Sequence, residues 1–499
     1  MRLRILNVAL AAMLALAASA QTGVLPRSSA ERQGVSSAAV ANFVERLMAV
    51  VNTDVHHMVV ARHGTVIAEM HARPYVAEDV HTMYSASKTV TALAVGIAVD
   101  ENRLRLDDRV ASFFPRRLPA EVSPALAAMT VRELLTMSTG VRPDYNRLRN
   151  SNDDWERAYL ACVPDAPGQF QYDSMCTYML AAIVQRVTGQ TIIDYLRQRL
   201  FAPLGITVVD WELSPTGVNT GGWGLRLQAE SEAKIGMLIN NRGEWQGKRI
   251  VSASWIDEMT RVQINTSTVK SEPNDGNQGY GYQTWRCLPS GVTRADGAFG
   301  QYIIMDRERD LVVVINAMSH DGHGMLRTVW TDLLPMLGDA PLAENAREQK
   351  RLAKAIARAE QTEIALPQGK RKGRDFELTL ADNALGMKRI SIAEAGENLS
   401  VNIDGVEYTA GYKRYELTQV AEPLYSITAR NRFAGLNAPF KCYSAYAWHG
   451  NTLLLDRHWT TMISGQHLAI DLDAKRLTVV NTFAPKKPIE IAIEQCEIK

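Results

Sequence analysis

The sequence predicts an α+β protein. We expect an antiparallel sheet flanked by helices, with a helical subdomain, followed by an all-β C-terminal domain that is a barrel or a sandwich. The chain has 499 residues, more than one hydrophobic core usually spans, so more than one domain is expected. Strand patterns occur at residues 56–70 and 300–318 with helical patterns between them, and from Phe376 onward the period is almost entirely that of strands.

The first twenty residues are typical of a secretory signal. Arg2 and Arg4 precede an apolar run from Ile5 to Leu16, and residues 18–20 are small. The run is too short to anchor the chain across a bilayer. We therefore expect cleavage after Ala20, no membrane span, and a mature protein that is periplasmic or secreted.

Composition limits the partners and the redox chemistry. Lys and Arg total 55 against 54 for Asp and Glu, a net charge of +1, which gives no electrostatic reason to expect nucleic acid or an anionic membrane. Export makes disulfides possible, and Cys162–Cys176 and Cys442–Cys496 are the candidate pairs, although spacing does not fix connectivity. The cysteine spacing does not resemble a zinc site, and neither a metal nor a cofactor is expected.

The elements follow in a clear order. Residues 36–51 predict an amphipathic helix, and the two β-rich runs around His63-Gly64 predict a hairpin. Helical periods then recur, with Gly140 and Gly189 as stop signals. The runs "GQYIIMD" and "LVVVINAM" return as strands. We expect a signal peptide over 1–20, a first domain over 21–340, a helical linker over 341–374 and the β domain over 375–499.

The stretch "MYSASKTVTALAVGIAVDENRL" carries the main chemical signal. Residues i and i+3 share one face of a helix, so Ser85 and Lys88 point into the same space. The helix N-terminus favours an alkoxide over a protonated lysine. A lysine ordinarily titrates near about 10.4, so it is a base at neutral pH only where burial or positive charge lowers its pKa. The alternative is that Ser85 caps the helix and Lys88 is a solvated surface residue.

Two further segments favour catalysis. "PGQFQYDSMCTYMLAAIVQRVTG" places Tyr172 and Ser174 just before a helix, and "RADGAFGQYIIMDRERDLVVVIN" places small residues at the start of a strand. Serine hydrolases with an S-x-x-K motif carry comparable elements in this order. The alternative for Tyr172 is an ordinary half-buried tyrosine.

These segments, with "TVRELLTMSTG", "AKIGMLINNRGEWQGKRIVSASWI" and "GYGYQTW", resemble the class C β-lactamase-related serine hydrolases over residues 35–335. That group includes family VIII esterases, D-aminopeptidases and 6-aminohexanoate-dimer hydrolases. The resemblance implies a β-lactamase-like fold for the first domain and does not extend to the C-terminal β domain.

The resemblance also implies roles for single residues. Ser85 matches the acylated nucleophile, Lys88 its base, and Tyr172 the tyrosine that passes protons to the leaving group. The backbone N–H groups of Ser85 and Ala298 match the oxyanion hole, which places no demand on the side chains. Ser174, with Asp296 and Gly297, matches the substrate-binding positions.

The sequence departs from the family pattern at two places. Ser174 stands where an asparagine is frequent, and Ala295 stands where a lysine or histidine helps to bind a substrate carboxylate. We therefore expect an exported serine hydrolase that forms an acyl-enzyme with a small ester, amide or peptide. Asp296 could instead pair with a cationic amine of the substrate. A β-lactamase or DD-peptidase, and a non-catalytic binding or sensor protein, remain alternatives, and the oligomeric state stays open.

Overall fold

The computed structural model describes residues 24–149, 151–267, 272–361, 364, 366–367, 374–423, 434–482 and 487–498. The predicted signal peptide lies outside these residues. The chain divides into two compact units. The first comprises residues 1–71, 82–360 and 434–436, and the second comprises residues 72–81, 361–433 and 437–499.

The helices of the described chain belong to the first unit. They are α1 Ser37–Met48, α2 Ser87–Asp100, α3 Pro124–Ala128, α4 Val131–Leu135, α5 Tyr145–Arg149, α6 Trp155–Leu160, α7 Ser174–Thr188, α8 Ile192–Leu196, α9 Ala229–Asn240, α10 Ala253–Thr260, α11 Gly322–Thr328 and α12 Ala346–Glu360. None of these helices combines the length and the apolarity that a membrane crossing requires. Helix α12, which falls within the predicted linker, packs against α1 in the first unit.

The strands up to residue 319 include a hairpin at the expected place, because β1 and β2 flank the turn at His63-Gly64. They are β1 Thr53–Arg62, β2 Thr65–His71, β3 His81–Thr82, β4 Asp210–Trp211, β5 Leu225–Leu227, β6 Glu244–Trp245, β7 Lys248–Arg249, β8 Trp285–Arg286, β9 Thr293–Gly297, β10 Gln301–Asp306 and β11 Leu311–Ser319.

The main sheet of the first unit is built from both ends of its sequence. Its order is β2-β1-β11-β10-β9-β8, and neighbouring strands run antiparallel. Helix α9 packs on β1, β10 and β11, and α2 packs against α7 and β9. This is the predicted antiparallel sheet with helices supplied by the intervening chain, and it places the start of α2 beside the end of β9.

Helix α2 is more deeply buried than its pattern indicates. The sequence shows one apolar face, yet the residues from Ser87 to Ala98 are all buried, including Lys88, Thr89 and Thr91. A helix that is enclosed on every side occupies the centre of a domain rather than its surface. The polar residues at its start are therefore interior groups that need partners.

The second unit is a closed barrel, which resolves the expectation of a barrel or a sandwich. Its strands are β12 Phe376–Leu380, β13 Arg389–Ala395, β14 Asn398–Ile403, β15 Val406–Tyr412, β16 Glu416–Val420, β17 Phe440–His449, β18 Thr452–Trp459, β19 Gly465–Asp471, β20 Arg476–Asn481 and β21 Ile489–Ile498. The order β15-β14-β13-β12-β21-β20-β19-β18-β17 closes because β15 also pairs with β17, and β16 pairs with β17 as an extra strand.

The predicted disulfides are wrong, because all five cysteines are free thiols. The thiol of Cys176 instead lies 3.5 Å from the Tyr159 hydroxyl, and that of Cys162 donates to the Ala158 carbonyl at 3.4 Å. Cys442 and Cys496 lie on β17 and β21, which are separated by β18, β19 and β20 in the barrel order. A disulfide requires Cα atoms within about 7 Å of each other, which strands this far apart do not offer.

Candidate active site

Ser85 is presented by a strained turn at the start of α2. It lies in a 3₁₀ turn, Tyr84–Ala86, in which Tyr84 has a φ of 45°. Such a backbone conformation costs on the order of 1 kcal/mol or more for a residue other than glycine. The turn is supported on both sides, since the Ser87 hydroxyl donates to the Tyr84 carbonyl at 2.6 Å and the Met83 N–H donates to the Leu225 carbonyl at 2.9 Å. Ser85 itself remains partly exposed.

Lys88 meets three oxygen atoms inside the protein. Its side chain is buried, with 1% exposure, and Nζ lies 3.0 Å from Ser85 Oγ, 2.9 Å from Ser174 Oγ and 2.7 Å from the Gly222 carbonyl oxygen. An ammonium has three donors and fills all three positions. A neutral amine has two N–H donors and a lone pair, so it can donate to Ser174 and Gly222 and accept from Ser85. The site thus accommodates both protonation states of the Lys88 amine.

The aromatic ring of Tyr172 lies beside the Lys88 amine. Lys88 Nζ lies 4.9 Å from the ring centroid, a distance at which a cation is attracted to an aromatic face. The ring also packs on Trp285, with centroids 5.6 Å apart and planes tilted by 30°. Tyr172 is 38% exposed, so it lies at the boundary between the buried lysine and solvent, where a substrate arrives.

Ser174 and its neighbour Asp173 begin helix α7. Asp173 caps the helix by accepting from the Met175 N–H at 2.8 Å, while Ser174 accepts from Lys88. Burial raises the pKa of Asp173 to about 6, against the lowering influence of that backbone hydrogen bond and of Lys88. The same turn therefore points the Ser174 hydroxyl at Lys88 and places the Asp173 carboxyl at the N-cap of α7.

The end of β9 packs against the turn that carries Ser85. At Gly297, which matches a substrate-binding position of the family, the backbone of the protein itself approaches closely. A Cβ at Gly297 would clash with the Met83 carbonyl oxygen. The oxyanion-hole role of the Ser85 and Ala298 N–H groups stays a prediction.

Asp296 already has a cationic partner. Arg294 Nε donates to Asp296 Oδ2 at 2.8 Å, and the two side chains are 4% and 26% exposed. Arg294 also donates to the carbonyls of Asp275 and Arg286, at 3.0 and 3.1 Å. The charge of Asp296 is thus largely compensated within the protein, which weakens the hypothesis that it selects a substrate amine.

Sequence reasoning missed the loop that faces Lys88 from the other side. Gly222 supplies the carbonyl that Lys88 contacts, and a Cβ there would come within 2.6 Å of the Ser174 carbonyl oxygen. The adjacent Gly221 accepts from the Thr91 hydroxyl at 2.9 Å. The two consecutive glycines in "NTGGWG" were the available signal, because adjacent glycines mark a close backbone approach.

No metal-binding cluster accompanies this site. Across the described ranges, no group of three or more His, Cys, Asp or Glu side chains is placed to hold a metal ion. The groups assembled at the site are an alcohol, an amine, a phenol and backbone N–H donors.

Comparison with known proteins places the first unit in a family. A family model described as Beta-lactamase matches residues 37–334. The chain is 26% identical over 285 residues to 6-aminohexanoate-dimer hydrolase from Paenarthrobacter ureafaciens, covering 51% of this chain and 70% of that protein. It is 31% identical over 180 residues to Penicillin-binding protein 4 of Amycolatopsis lactamdurans, covering 34% of this chain and 44% of that protein.

A third relative is named as an esterase. The chain is 28% identical over 174 residues to Esterase EstB from Burkholderia gladioli, covering 30% of this chain and 44% of the relative. The chain therefore spans most of the first of these three proteins but less than half of the other two. The family model nevertheless covers more than half of the chain, including the segments that carry Ser85, Lys88 and Tyr172, so the chain belongs to the beta-lactamase family of serine hydrolases.

Proposed function

We propose that the protein is an exported serine hydrolase that cleaves a small ester or amide through an acyl-enzyme. Ser85 Oγ attacks the substrate carbonyl carbon as its proton passes to Lys88 Nζ. The N–H groups of Ser85 and Ala298 stabilise the oxyanion. The bond between the carbonyl carbon and the leaving group breaks as Tyr172 gives the leaving group a proton, and Tyr172 regains a proton from Lys88. Water then attacks the acyl-enzyme, which releases the acid and restores the Ser85 hydroxyl.

The observation that carries this proposal is the contact of a buried lysine with Ser85. Lys88 Nζ lies 3.0 Å from Ser85 Oγ, within the distance that proton transfer needs, and its 1% exposure removes most of the water that would keep it charged. A non-catalytic binding or sensor protein has no need to bury an amine against a hydroxyl in this way.

The substrate class follows from what β9 offers beside Ser85. Ala295 is apolar and buried, and Arg294 is engaged by Asp296, so this strand presents no uncommitted cation for a substrate carboxylate. An uncharged ester or amide is thus favoured over an anionic β-lactam. The relationship to a penicillin-binding protein keeps β-lactamase or DD-peptidase activity as the second candidate.

A substrate comparison separates the candidates. Purified protein is offered p-nitrophenyl butyrate and nitrocefin, and a fluorophosphonate probe reports the nucleophile. The proposal expects probe labelling that Ser85→Ala abolishes, and ester turnover that exceeds nitrocefin turnover. Faster turnover of nitrocefin than of the ester would favour β-lactamase activity over esterase activity. A protein that no fluorophosphonate labels would be the non-catalytic binding or sensor protein.

Export is the part of the proposal that rests on residues 1–20 alone. Expression of the full chain in a Gram-negative host, followed by fractionation and N-terminal sequencing, tests it. Periplasmic protein that begins at Gln21 is the expected result, and cytoplasmic protein that retains Met1 or Arg2 contradicts it.

A further inference from the structure

The barrel contains a row of polar side chains across four neighbouring strands. Ser444 of β17 lies opposite Arg457 of β18, which lies opposite Gln466 of β19, which in turn lies opposite Asn481 of β20. Directly opposed residues project from the same face of a sheet. All four are buried, as are the apolar residues that alternate along these strands. The row therefore lies on the inner face of the barrel.

Arg457 is the charged member of this row. It is 1% exposed, and its Nε, Nη1 and Nη2 atoms make no hydrogen bond to a nitrogen or oxygen atom of the described chain. Its Cζ atom lies 4.1 Å from the centroid of the Tyr408 ring and 4.7 Å from that of a Trp459 ring. Aromatic faces stabilise a cation, but they do not replace charge-assisted hydrogen bonds to the five N–H donors of a guanidinium.

The nearest acidic groups do not supply the missing acceptor. Asp456 precedes Arg457 on the strand and therefore projects to the opposite face, where its carboxylate lies 3.1 Å from His458 Nε2 and 2.8 Å from the Tyr415 hydroxyl. Burial raises the pKa of the Cys442 thiol, while the charge of Arg457 and side-chain hydrogen bonds with Ser444 and Arg457 lower it by less. Cys442 is thus a neutral thiol at neutral pH, and it does not neutralise the guanidinium.

The turn that follows β18 adds donors of the same kind. Trp459 Nε1 and the hydroxyls of Thr460, Thr461 and Ser464 are buried and have no hydrogen-bond partner in the described residues. The turn is tight, since the Trp459 N–H donates to the Ser464 carbonyl at 3.0 Å. Buried polar groups are nearly always paired in folded proteins. A guanidinium, an indole N–H and three hydroxyls gathered at one end of a barrel are suited to a ligand that only accepts hydrogen bonds.

We propose that Arg457, Trp459, Thr460, Thr461 and Ser464 form a binding site for a small carboxylate. A carboxylate has two coplanar acceptors that match two N–H groups of a guanidinium. Its single negative charge balances the single positive charge, whereas a phosphate at neutral pH carries additional charge into a low-polarity interior. The neighbouring rings of Tyr408 and Trp459 favour a carboxylate with an aromatic or aliphatic body. The site does not depend on the activity of Ser85.

The experiment is calorimetric titration of the full-length protein with benzoate. Benzamide, which has the same shape without the charge, is the matched control ligand, and inorganic phosphate is the competing anion. The wild type is expected to bind benzoate at one saturable site and benzamide at least about tenfold more weakly. Arg457→Met is expected to weaken benzoate binding at least about tenfold while ester hydrolysis continues. Wild-type protein that binds no benzoate, or binds phosphate more tightly, overturns the proposal.

Two further measurements keep the test decisive. Saturating benzoate is expected to raise the melting temperature of the wild type, because a ligand that binds only the native state stabilises it, and to leave that of Arg457→Met unchanged. If Arg457→Met does not fold, benzoate binding is measured with Arg457→Lys instead. Lysine keeps the charge but lacks the planar guanidinium that bonds both carboxylate oxygens. Weaker benzoate binding by this variant supports the site, and unchanged binding by either variant overturns it.

Discussion

Lys88 and Arg457 are both buried cations with 1% exposure, but their surroundings are opposite. Lys88 has three oxygen acceptors within 3.0 Å. Arg457 lies against two aromatic rings and a thiol, and no nitrogen or oxygen acceptor of the described residues reaches it. A lysine so surrounded can lose its proton and remain hydrogen-bonded, whereas an arginine stays charged at any ordinary pH. The proposed proton transfer at the first site and the proposed anion binding at the second rest on this difference.

The largest expected effect is at the nucleophile. Ser85→Ala is expected to lower kcat for p-nitrophenyl butyrate by about 10⁴-fold or more, because the acyl-enzyme no longer forms. Ser87→Ala is the matched control, since Ser87 is a buried neighbour whose hydroxyl bonds backbone groups of Tyr84 and Leu225. Similar losses in the two variants would mean that the turn, and not the Ser85 hydroxyl, limits the rate.

Replacing each of the two buried basic residues by methionine tests the comparison between Lys88 and Arg457. Lys88→Met is expected to lower kcat by about 10²- to 10⁴-fold through loss of the base. It is also expected to lower the free energy of unfolding by about 1–3 kcal/mol, because Ser174 Oγ and the Gly222 carbonyl lose a donor. Arg457→Met removes a buried charge without an acceptor and is expected to raise the free energy of unfolding of the ligand-free protein by about 1 kcal/mol or more.

Denaturant titration of the two variants beside the wild type provides the measurement. A change of the same sign in both variants would contradict the distinction between a cation that is hydrogen-bonded and one that is not.

Tyr172→Phe removes the phenol and keeps the ring that packs on Trp285. We expect kcat to fall by about 10²-fold with a smaller change in KM, since the hydroxyl acts in proton transfer and not in binding. Tyr280→Phe is the control from the same aromatic cluster. Burial raises the pKa of Tyr280 far above its ordinary value, which makes it unsuited to proton transfer. Equal effects of the two substitutions would remove Tyr172 from the mechanism.

The raised pKa of Asp173 predicts that the stability of the protein depends on pH. Its pKa is raised from 3.8 to about 6 in the native state, so the native state binds more protons than the unfolded state between these values. Stability therefore falls as pH rises from about 4 to about 6, by at most about 3 kcal/mol from this group. Asp173→Asn keeps a capping side chain and is expected to flatten that part of the profile in thermal melts. An unchanged slope would exclude Asp173 as its source.

The smallest expected effect is at Asp296. Because Arg294 already neutralises it, Asp296→Ala is expected to change ester and amino-amide hydrolysis by the same factor, within about threefold. Initial rates on a matched ester and amino amide give the two factors. Selective loss of amino-amide hydrolysis would restore the hypothesis that Asp296 binds a substrate amine.

The first unit shows how far periodicity predicts a fold. The hairpin at His63-Gly64 and the helix that ends at Gly189 follow from local pattern and turn residues, and both occur in the structure. That one sheet takes strands from both ends of the domain followed from the positions of the strand patterns, but the order of its strands did not. The closure of the C-terminal barrel depends on the pairing of β15 with β17, a long-range contact that no local pattern specifies.

The site was predictable where the residues lie close in sequence. Ser85 and Lys88 are one helical turn apart, so their meeting follows from helix geometry. Gly222 reaches Lys88 from 134 residues away, and the pair of glycines marks a close backbone approach without specifying its partner. The predicted disulfides were wrong for a related reason, because cysteine spacing does not specify which helices or strands bring two thiols together.

Mass spectrometry of the acyl-enzyme tests the central claim most directly. Wild-type protein is mixed with p-nitrophenyl acetate, quenched in acid during the first turnovers and digested for peptide mapping. The account predicts a gain of one acetyl group on the peptide that contains Ser85, and its absence in Ser85→Ala. An acetyl group on any other residue, or ester turnover in which no acylated protein is trapped under any quench condition, would contradict it.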